Sequence, residues 1–209
     1  MKFYDCATAP SPRRVRIFAA EKRIELDTVQ VDLANGEQFG AAFRDVNPDC
    51  MVPVLDLEDG TRLTEVTAIC QYLEEMQPEP SLFGASPAER ALTSMWNIKV
   101  EQQGFLACAE AFRNSAKGLR QRAIAGPDAF EQIPELAERG RERVTKFLNR
   151  LDMQLGENTY IAGNHYSIAD ISAMVVVDFA GWAKITVPDD ATNLTRWYAS
   201  VSARPSARA

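Results

Sequence analysis

The first 76 residues alternate between short apolar runs and longer stretches with apolar residues at helical spacing. The segments KFYDC, LDTVQVDL, VPVLDLE and TRLTE have the length and composition of strands, whereas SPRRVRIFAAEKR, EQFGAAFRDV and VTAICQYLEEM favour helices. The predicted order is β-α-β-α-β-β-α. A turn at Glu58 to Gly60 joins the last two strands as a hairpin, and the earlier, helix-separated strands are expected to be parallel. The pattern indicates a small mixed α/β sheet covered by helices.

A proline-rich stretch, QPEPSLFGASPAER, ends this pattern, because its prolines and glycine interrupt any regular element. We predict a linker at 78–86 between a first domain at 1–77 and a second domain at 87–209. Ser86 followed by Pro87 is typical of a helix start. The later stretch PELAERGRERVTKFLNRLDMQLG again carries apolar residues at helical spacing. The second domain is therefore predicted to be an all-α helical bundle.

A nearly continuous apolar run from Ile168 to Trp182 predicts a helix that is buried on most sides. Ser167 and Asp170 precede and open it at the spacing of a capping box, in which each side chain satisfies the other residue's free backbone N–H. A catalytic role for the Asp170 carboxylate is the alternative. The capping interpretation is preferred because it explains both residues without any chemistry.

The amino-acid composition and charge argue against several classes of protein: membrane-spanning, secreted and nucleic-acid-binding. The 209 residues are 46% apolar and 25% charged, and no window approaches the ~20 apolar residues of a membrane span, so a soluble protein is expected. The N-terminus has no secretory pattern, which favours the cytoplasm. A net charge of −6 argues against a nucleic-acid surface. The basic run Arg13, Arg14 and Arg16 is expected to be mostly a solvated helix face.

The cysteines and the single histidine argue against a metal site. Four cysteines are scattered without a C-x-x-C pair, which favours free thiols in a cytoplasmic protein (Cys6, Cys50, Cys70 and Cys108). His165 is the only histidine and lies in the turn-like stretch AGNHYS, where a surface loop is expected. A multi-histidine metal centre is excluded, and no metal cofactor is predicted.

One proline stands in an unusual place. Pro53 occupies the first position of an otherwise apolar strand in the stretch MVPVL. Proline donates no hydrogen bond to a sheet and is tolerated only at strand starts, edges and bulges. The backbone just before Pro53 is therefore predicted to be kept free for another partner.

Two segments carry a resemblance to a known family. NPDCMVPVLDLEDGTRLTEVTAICQYLEE resembles the pattern N-P-x-x-x-V-P-x-L…L-x-E-S-x-A-I-x-x-Y-L of cytosolic glutathione transferases, and YIAGNHYSIADI resembles their capping segment Y-x-x-G-x-x-x-S-x-A-D-I. The resemblance covers nearly the whole chain. It implies a thioredoxin-like first domain, a helical second domain, reduced glutathione as co-substrate and a homodimer active in detoxification.

The resemblance also assigns the glutathione-binding residues. It implies a cis bond between Val52 and Pro53, with the Val52 backbone binding the cysteinyl unit as an added strand would. Glu65 would accept from the ligand's ammonium group, and the helix that begins near Val66 would bind its carboxylate. The alternative for Glu65 is a first-turn acid that only stabilises the helix. Val66 replaces the family's usual serine, and Gln38 stands where the glycine end is often bound.

The catalytic position departs from the family pattern. Ala9 stands where a serine usually favours the glutathione thiolate. The resemblance leaves Ser11 as the preferred catalytic hydroxyl, with Thr8 as a substitute and Cys6 as a site for a mixed disulfide. The N-terminus of the first helix could also lower the thiol pKa without any side chain. Ser11 equally fits a structural role as N-cap, followed by Pro12 at the first helical position.

The acceptor site is expected on the first helix of the second domain. That helix brings aromatic, apolar and amide groups together, and Trp96 and Gln103 are the preferred candidates among them (Met95, Trp96, Lys99, Gln102, Gln103 and Phe105). Core packing is the alternative for Trp96 and Phe105.

The leading functional hypothesis is attack of the glutathione thiolate on a small electrophile. Disulfide reduction, peroxidase activity and glutathione-assisted isomerisation are alternatives that keep the co-substrate. A non-catalytic glutathione- or ligand-binding protein is a further alternative, because Ala9 and Val66 both lack the usual hydroxyl.

Overall fold

The computed structural model describes residues 1–209 and consists of two compact units. The first unit comprises Met1–Pro80 with Ala125–Asp128 and Ala209. The second comprises Ser81–Ile124 and Ala129–Arg208. None of the helices combines the length and apolar character needed to cross a membrane.

The first unit contains the predicted order of strands and helices. Its elements are β1 (Lys2–Asp5), α1 (Pro10–Lys22), β2 (Asp27–Gln30), α2 (Ala41–Val46), β3 (Val54–Asp56), β4 (Arg62–Leu63) and α3 (Val66–Met76). The sheet has the order β2-β1-β3-β4. β1 and β2 are parallel, as expected for strands joined by a helix. β3 is antiparallel to β1, although α2 precedes it, so the expectation of parallel strands fails there.

The hairpin between β3 and β4 is confirmed. Gly60 adopts a positive φ of 86°, a conformation that glycine reaches without steric cost. Its N–H donates to the Leu57 carbonyl at 3.0 Å, and the Leu57 N–H donates to the Thr61 carbonyl at 2.8 Å. Asp59 closes the turn by accepting from the Thr61 N–H at 2.9 Å.

Apolar residues of the sheet and of two helices form the core of the first unit. Phe3 of β1 lies opposite Leu55 of β3, and both side chains are fully buried. α1 and α3 pack against each other, and their inward faces are also fully buried (Val15, Ile17 and Phe18 on α1; Ile69, Cys70 and Leu73 on α3). The apolar residues that recur at helical spacing in the sequence are thus the residues that are buried in the structure.

A buried lysine holds the end of the first unit. The Lys22 side chain is 0% exposed, and its ammonium group forms an ion pair with Glu74. Lys22 Nζ also donates to the carbonyls of Gln77, Pro78 and Pro80 at 2.8, 3.1 and 2.6 Å. These bonds compensate the cost of burying the charge. One side chain of α1 therefore fixes the segment that comes after α3.

The second unit is the predicted helical bundle. Its helices are α4 (Pro87–Lys99), α5 (Leu106–Arg113), α6 (Pro134–Glu157), α7 (Ile168–Trp182) and α8 (Thr192–Ser202). The start of α4 is confirmed: Ser86 Oγ accepts from the Glu89 N–H at 3.2 Å, and Glu89 Oε2 accepts from the Ser86 N–H at 3.0 Å. A π-helical segment, Val100–Phe105, links α4 directly to α5. The sequence pattern did not predict this wider turn.

Two glycines set close packing inside the bundle. A Cβ atom at Gly140 of α6 would lie 2.7 Å from the backbone nitrogen of Ala111 on α5. A Cβ atom at Gly104 would lie 2.7 Å from the ring of Phe147. Both approaches are shorter than van der Waals contact, so these positions require glycine for steric reasons.

Asp170 anchors the start of α7. Its Oδ2 accepts from the Ser167 N–H and hydroxyl at 3.0 Å each, which confirms the predicted capping box. Its Oδ1 accepts from the Ile161 N–H and from Trp197 Nε1 at 2.9 Å each. Burial raises the pKa of Asp170, and these hydrogen bonds act in the opposite direction. Because Asp170 is fully buried and bound by four donors, the catalytic alternative finds no support.

Candidate functional site

The backbone of Val52, just before β3, is free of hydrogen-bond partners within the chain. The Val52–Pro53 bond is cis, as the resemblance implied. The side chain of Val52 packs against the buried cluster of Val31, Phe43 and Val54, and its N–H and C=O form no hydrogen bond. Two main-chain groups therefore remain available at the start of a strand, as the position of the proline predicted.

Glu65 and the N-terminus of α3 form the second part of the site. Glu65 is the N-cap residue of α3, which begins at Val66 as expected. Its carboxylate is exposed and accepts no capping hydrogen bond, while its carbonyl accepts from the Ile69 N–H at 2.9 Å. The helix N-terminus is electropositive, and the neighbouring carboxylate is negative. The arrangement can receive a group that carries both an ammonium and a carboxylate.

Gln38 lies in a short 3₁₀ turn, Glu37–Phe39, and is only 3% exposed. Its side-chain oxygen is buried and accepts no hydrogen bond within the chain. Such an oxygen is costly unless a donor reaches it. The assignment of Gln38 to the glycine end of glutathione stays a prediction.

Ser11 lies inside the first turn of α1 rather than at its cap. The helix begins at Pro10, and Ala9 is the N-cap residue, so the N-cap role considered for Ser11 is wrong. The two prolines, Pro10 and Pro12, both fit the first turn because its N–H groups have no helical partner. Arg14 Nη2 donates to Ser11 Oγ at 3.2 Å. The Ser11 hydroxyl can accept this bond and still donate its own proton to another atom.

Cys6 is the most accessible of the four thiols. It is half-buried, and its Sγ lies 3.5 Å from Thr8 Oγ1. Cys50, Cys70 and Cys108 are buried. Burial raises the pKa of the Cys70 thiol and raises that of Cys108 to about 12, so neither supplies a thiolate near neutral pH. Cys6 is therefore the only one of the four thiols that is accessible enough to react.

The expectation of a solvated face for the basic run is wrong for two arginines. Arg14 is only 3% exposed, and Arg16 forms an ion pair with the buried Asp5 at 2.5 Å. For Arg16, the physical reason is that an inward-facing carboxylate at the end of β1 requires a cation. The inward position of Asp5, two residues after Phe3, was the sequence signal for this pair.

Trp96 and Gln103 are brought together by Arg150, a residue that the sequence pattern did not single out. Arg150 of α6 donates from Nη1 to Gln103 Oε1 at 3.0 Å, and its guanidinium lies 5.7 Å from the centre of the Trp96 ring. Lys99 Nζ lies 4.5 Å from the same ring. Trp96 is 6% exposed and Phe105 is also buried, which fits the core-packing alternative for both aromatic rings.

Comparison with known proteins connects these features to a family. A model of the glutathione S-transferase N-terminal domain matches residues 8–76, and a model of the C-terminal domain matches residues 121–205. Glutathione S-transferase 2 of Saccharomyces cerevisiae is 33% identical over 211 residues, with 100% of this chain and 88% of the relative covered. The chain belongs to the glutathione S-transferase family.

Solved structures agree with this assignment. A glutathione S-transferase domain-containing protein of Marinobacter aquaeolei superposes with a TM-score of 0.91 at 38% identity, with 99% of each chain covered. Gtt2 of Saccharomyces cerevisiae superposes with a TM-score of 0.90 at 32% identity over 99% of this chain and 98% of that one. The glutathione S-transferase fold, a thioredoxin-like N-terminal domain and a helical C-terminal domain, is therefore confirmed.

Proposed function

We propose that this glutathione S-transferase family member binds reduced glutathione and promotes attack of its thiolate on a small electrophile. The observation that carries the proposal is the free backbone of Val52 in the same unit as the exposed carboxylate of Glu65 at the start of α3. Glutathione offers an amide for the first and an ammonium with a carboxylate for the second. The family membership makes glutathione the expected co-substrate.

Binding would combine four different interactions. The cysteinyl unit would extend the sheet through the Val52 N–H and C=O beside Pro53, which requires no particular side chain. The γ-glutamyl carboxylate would receive N–H donors from the first turn of α3, including that of Val66. Glu65 would form an ion pair with the ammonium group. Gln38 would donate to or accept from the glycine end.

Activation of the thiol is assigned to the start of α1. The electropositive end of that helix favours the thiolate form of the sulfur. The Ser11 hydroxyl, which accepts from Arg14, has a proton to donate to the thiolate. Both effects act on the charged form and therefore lower the thiol pKa.

The acceptor is assigned to the second unit. Trp96 and Gln103 are proposed to contribute to its binding, with Arg150 holding the Gln103 amide in place. The proposed linker at 78–86 separates the two functional parts.

A cytoplasmic homodimer is the proposed working form. Sedimentation of the purified protein measures whether it is a dimer.

Calorimetric titration with reduced glutathione tests the proposal first. Binding at one site per chain, together with turnover of an aryl halide, is the expected result. Absence of both would refute the proposed function. Binding without turnover of any electrophile, hydroperoxide or disulfide would instead favour a non-catalytic binding protein, and turnover of an isomerisable substrate would favour an isomerase.

Replacing Glu65 with alanine is expected to weaken glutathione binding by at least about tenfold, which corresponds to ~1.4 kcal/mol. The loss follows from removal of the only partner assigned to the ligand's ammonium group. Titration calorimetry measures the change. Glu75→Ala, at an exposed position near the other end of the same helix, is the matched control and should bind like the wild type. Unchanged affinity in Glu65→Ala would remove Glu65 from the site.

Replacing Ser11 with alanine is expected to lower kcat about tenfold with little effect on glutathione affinity, because the hydroxyl acts on the thiolate. Steady-state kinetics and the pH dependence of the ultraviolet thiolate absorbance of bound glutathione measure this. Ser11→Thr retains the hydroxyl and should preserve most of the rate. A full rate in Ser11→Ala would assign activation to Thr8 or to the helix N-terminus alone.

A second candidate function is glutathione-dependent disulfide reduction, which the accessibility of Cys6 favours. The Cys6 thiolate would attack the glutathionyl sulfur of a mixed disulfide, releasing the other thiol and forming a Cys6–glutathione disulfide. A glutathione thiolate would then attack that bond and leave as oxidised glutathione, restoring Cys6. Loss of disulfide reduction in Cys6→Ala with retained aryl halide turnover would establish this second activity.

A further inference from the structure

The loop between β1 and α1 is held by its backbone rather than by packing. Ala7 is exposed, yet both polar groups of its main chain are bound by side chains. Its N–H donates to Gln30 Oε1 at 2.8 Å, and its carbonyl accepts from Arg16 Nη2 at 3.0 Å. An exposed residue of this kind would ordinarily bond to water. The two side chains therefore fix the loop at Ala7.

Both side chains are themselves anchored to one carboxylate. Arg16 Nη1 donates to Asp5 Oδ1 at 2.5 Å, and Gln30 Nε2 donates to Asp5 Oδ2 at 2.6 Å. Asp5 is only 1% exposed. The result is a closed ring of four hydrogen bonds from Asp5 through Arg16 and Gln30 to Ala7. We call the three residues Asp5, Arg16 and Gln30 the Ala7 clamp.

The Ala7 clamp joins three elements of the first unit. Asp5 ends β1, Arg16 lies in the second turn of α1, and Gln30 ends β2. The loop that carries Cys6, Thr8 and the N-cap of α1 is thereby tied to the sheet and to the helix together. A hydrogen bond between a hydroxyl or N–H and a thiolate depends steeply on placement of the donor.

We propose that Asp5, Arg16 and Gln30 are positioning residues that hold the start of α1 against the glutathione sulfur and so lower its thiol pKa. This inference rests on the proposed function, since it concerns the same site. None of the three residues contacts the ligand in the proposal. They act through the Ala7 peptide, whose position sets the direction of the donors at the next residues of the loop.

The proposal can be tested by exchanging the carboxylate and the amide between positions 5 and 30, because each position in the ring needs a particular donor or acceptor. In Asp5→Asn, an amide N–H₂ faces Gln30 Nε2. If the Gln30 amide flips so that its oxygen accepts from the asparagine amide at position 5, the Gln30 N–H₂ group then faces the Ala7 N–H. Two donors oppose each other there, and no hydrogen bond forms. In Gln30→Glu, a second carboxylate oxygen faces Asp5 Oδ2 and repels it. Each single change therefore breaks one link of the ring.

The double variant Asp5→Asn with Gln30→Glu restores every link. The asparagine oxygen at position 5 accepts from Arg16, and its amide donates to the glutamate at position 30. The second glutamate oxygen accepts from the Ala7 N–H. The net charge equals that of the wild type. Asp56→Asn is the matched control for loss of an acid, because Asp56 pairs with Arg62 in the β3–β4 hairpin outside the clamp.

The experiment measures the thiol pKa of bound glutathione by its ultraviolet absorbance across pH, and glutathione affinity by calorimetry. Asp5→Asn and Gln30→Glu are each expected to raise the thiol pKa by about one unit, which lowers the thiolate fraction about tenfold at pH values below that pKa, with affinity changed less than about threefold. The double variant and Asp56→Asn are expected to match the wild type. A purely structural role would lower the melting temperature without moving the thiol pKa.

Hydrogen exchange of the Ala7 amide separates this inference from the proposed function. Protection of that amide in the ligand-free protein should fall in both single variants and return in the double variant. Wild-type protein that binds no glutathione would refute the proposed function, while the exchange rates would still decide whether the clamp holds the loop. Unchanged thiol pKa in the single variants, or a double variant no better than either, would overturn the proposal.

Discussion

Replacing Asp170 with alanine is expected to lower the free energy of unfolding by about 4 kcal/mol, the largest effect of any single change considered for the second unit. The change leaves four donors without an acceptor: the Ile161 and Ser167 N–H groups, the Ser167 hydroxyl and Trp197 Nε1. All three partner residues are buried, so water cannot replace the lost bonds. Urea denaturation followed by circular dichroism measures the loss.

The second capping box of the chain provides the control for Asp170. Glu89 accepts from the Ala85 and Ser86 N–H groups at the start of α4, and these hydrogen bonds are exposed to solvent. Glu89→Ala should therefore cause a much smaller drop in stability, because water can solvate the freed N–H groups. Equal effects in the two variants would show that capping alone, and not the buried network, accounts for the role of Asp170.

Replacing Lys22 with methionine is expected to destabilise the protein by about 3 kcal/mol. Methionine preserves most of the apolar stem, whereas loss of the ammonium removes the donor to three carbonyls and the Lys22 partner of the Glu74 carboxylate. Guanidinium denaturation gives the global change. Limited proteolysis should in addition detect earlier cleavage after α3, where the Gln77 and Pro80 carbonyls are released.

Lys146→Met is the matched control for this lysine. Lys146 lies on the surface of α6, where its ion pair with Glu142 is long, at 3.8 Å, and exposed to solvent. Exposed pairs of this kind contribute little to stability. A comparable loss in both variants would contradict the role assigned to the buried ammonium of Lys22.

Features of the fold that depend on neighbouring residues could be predicted from the sequence. The start of α4 at Ser86, the start of α7 after Ser167 and the hairpin turn at Gly60 each follow from rules that operate within four residues. The direction of β3 could not be predicted in this way. It depends on pairing with β1, some fifty residues earlier, and the preceding helix α2 favoured the other orientation.

The same distinction applies to the candidate site: features set by nearby residues could be predicted from the sequence, and features set by distant residues could not. The free backbone of Val52 followed from the position of Pro53, and the start of α3 at Val66 followed from helix periodicity and the family pattern. The burial of Arg14 and the ion pair of Arg16 could not be predicted in this way, because they depend on other elements: α1 packs against α3, and Arg16 pairs with Asp5 of β1. Arg150 was missed for a related reason: it lies 47 residues from Gln103, its partner.

The π-helical segment Val100–Phe105 separates the rotational phase of α4 from that of α5. Each residue added to a helix rotates all later positions by about 100° around the helix axis. Insertion or deletion of one residue in this segment would thus redirect the face of α5 while leaving α4 in place. Relatives of this protein that differ in length here would present different side chains from the same two helices.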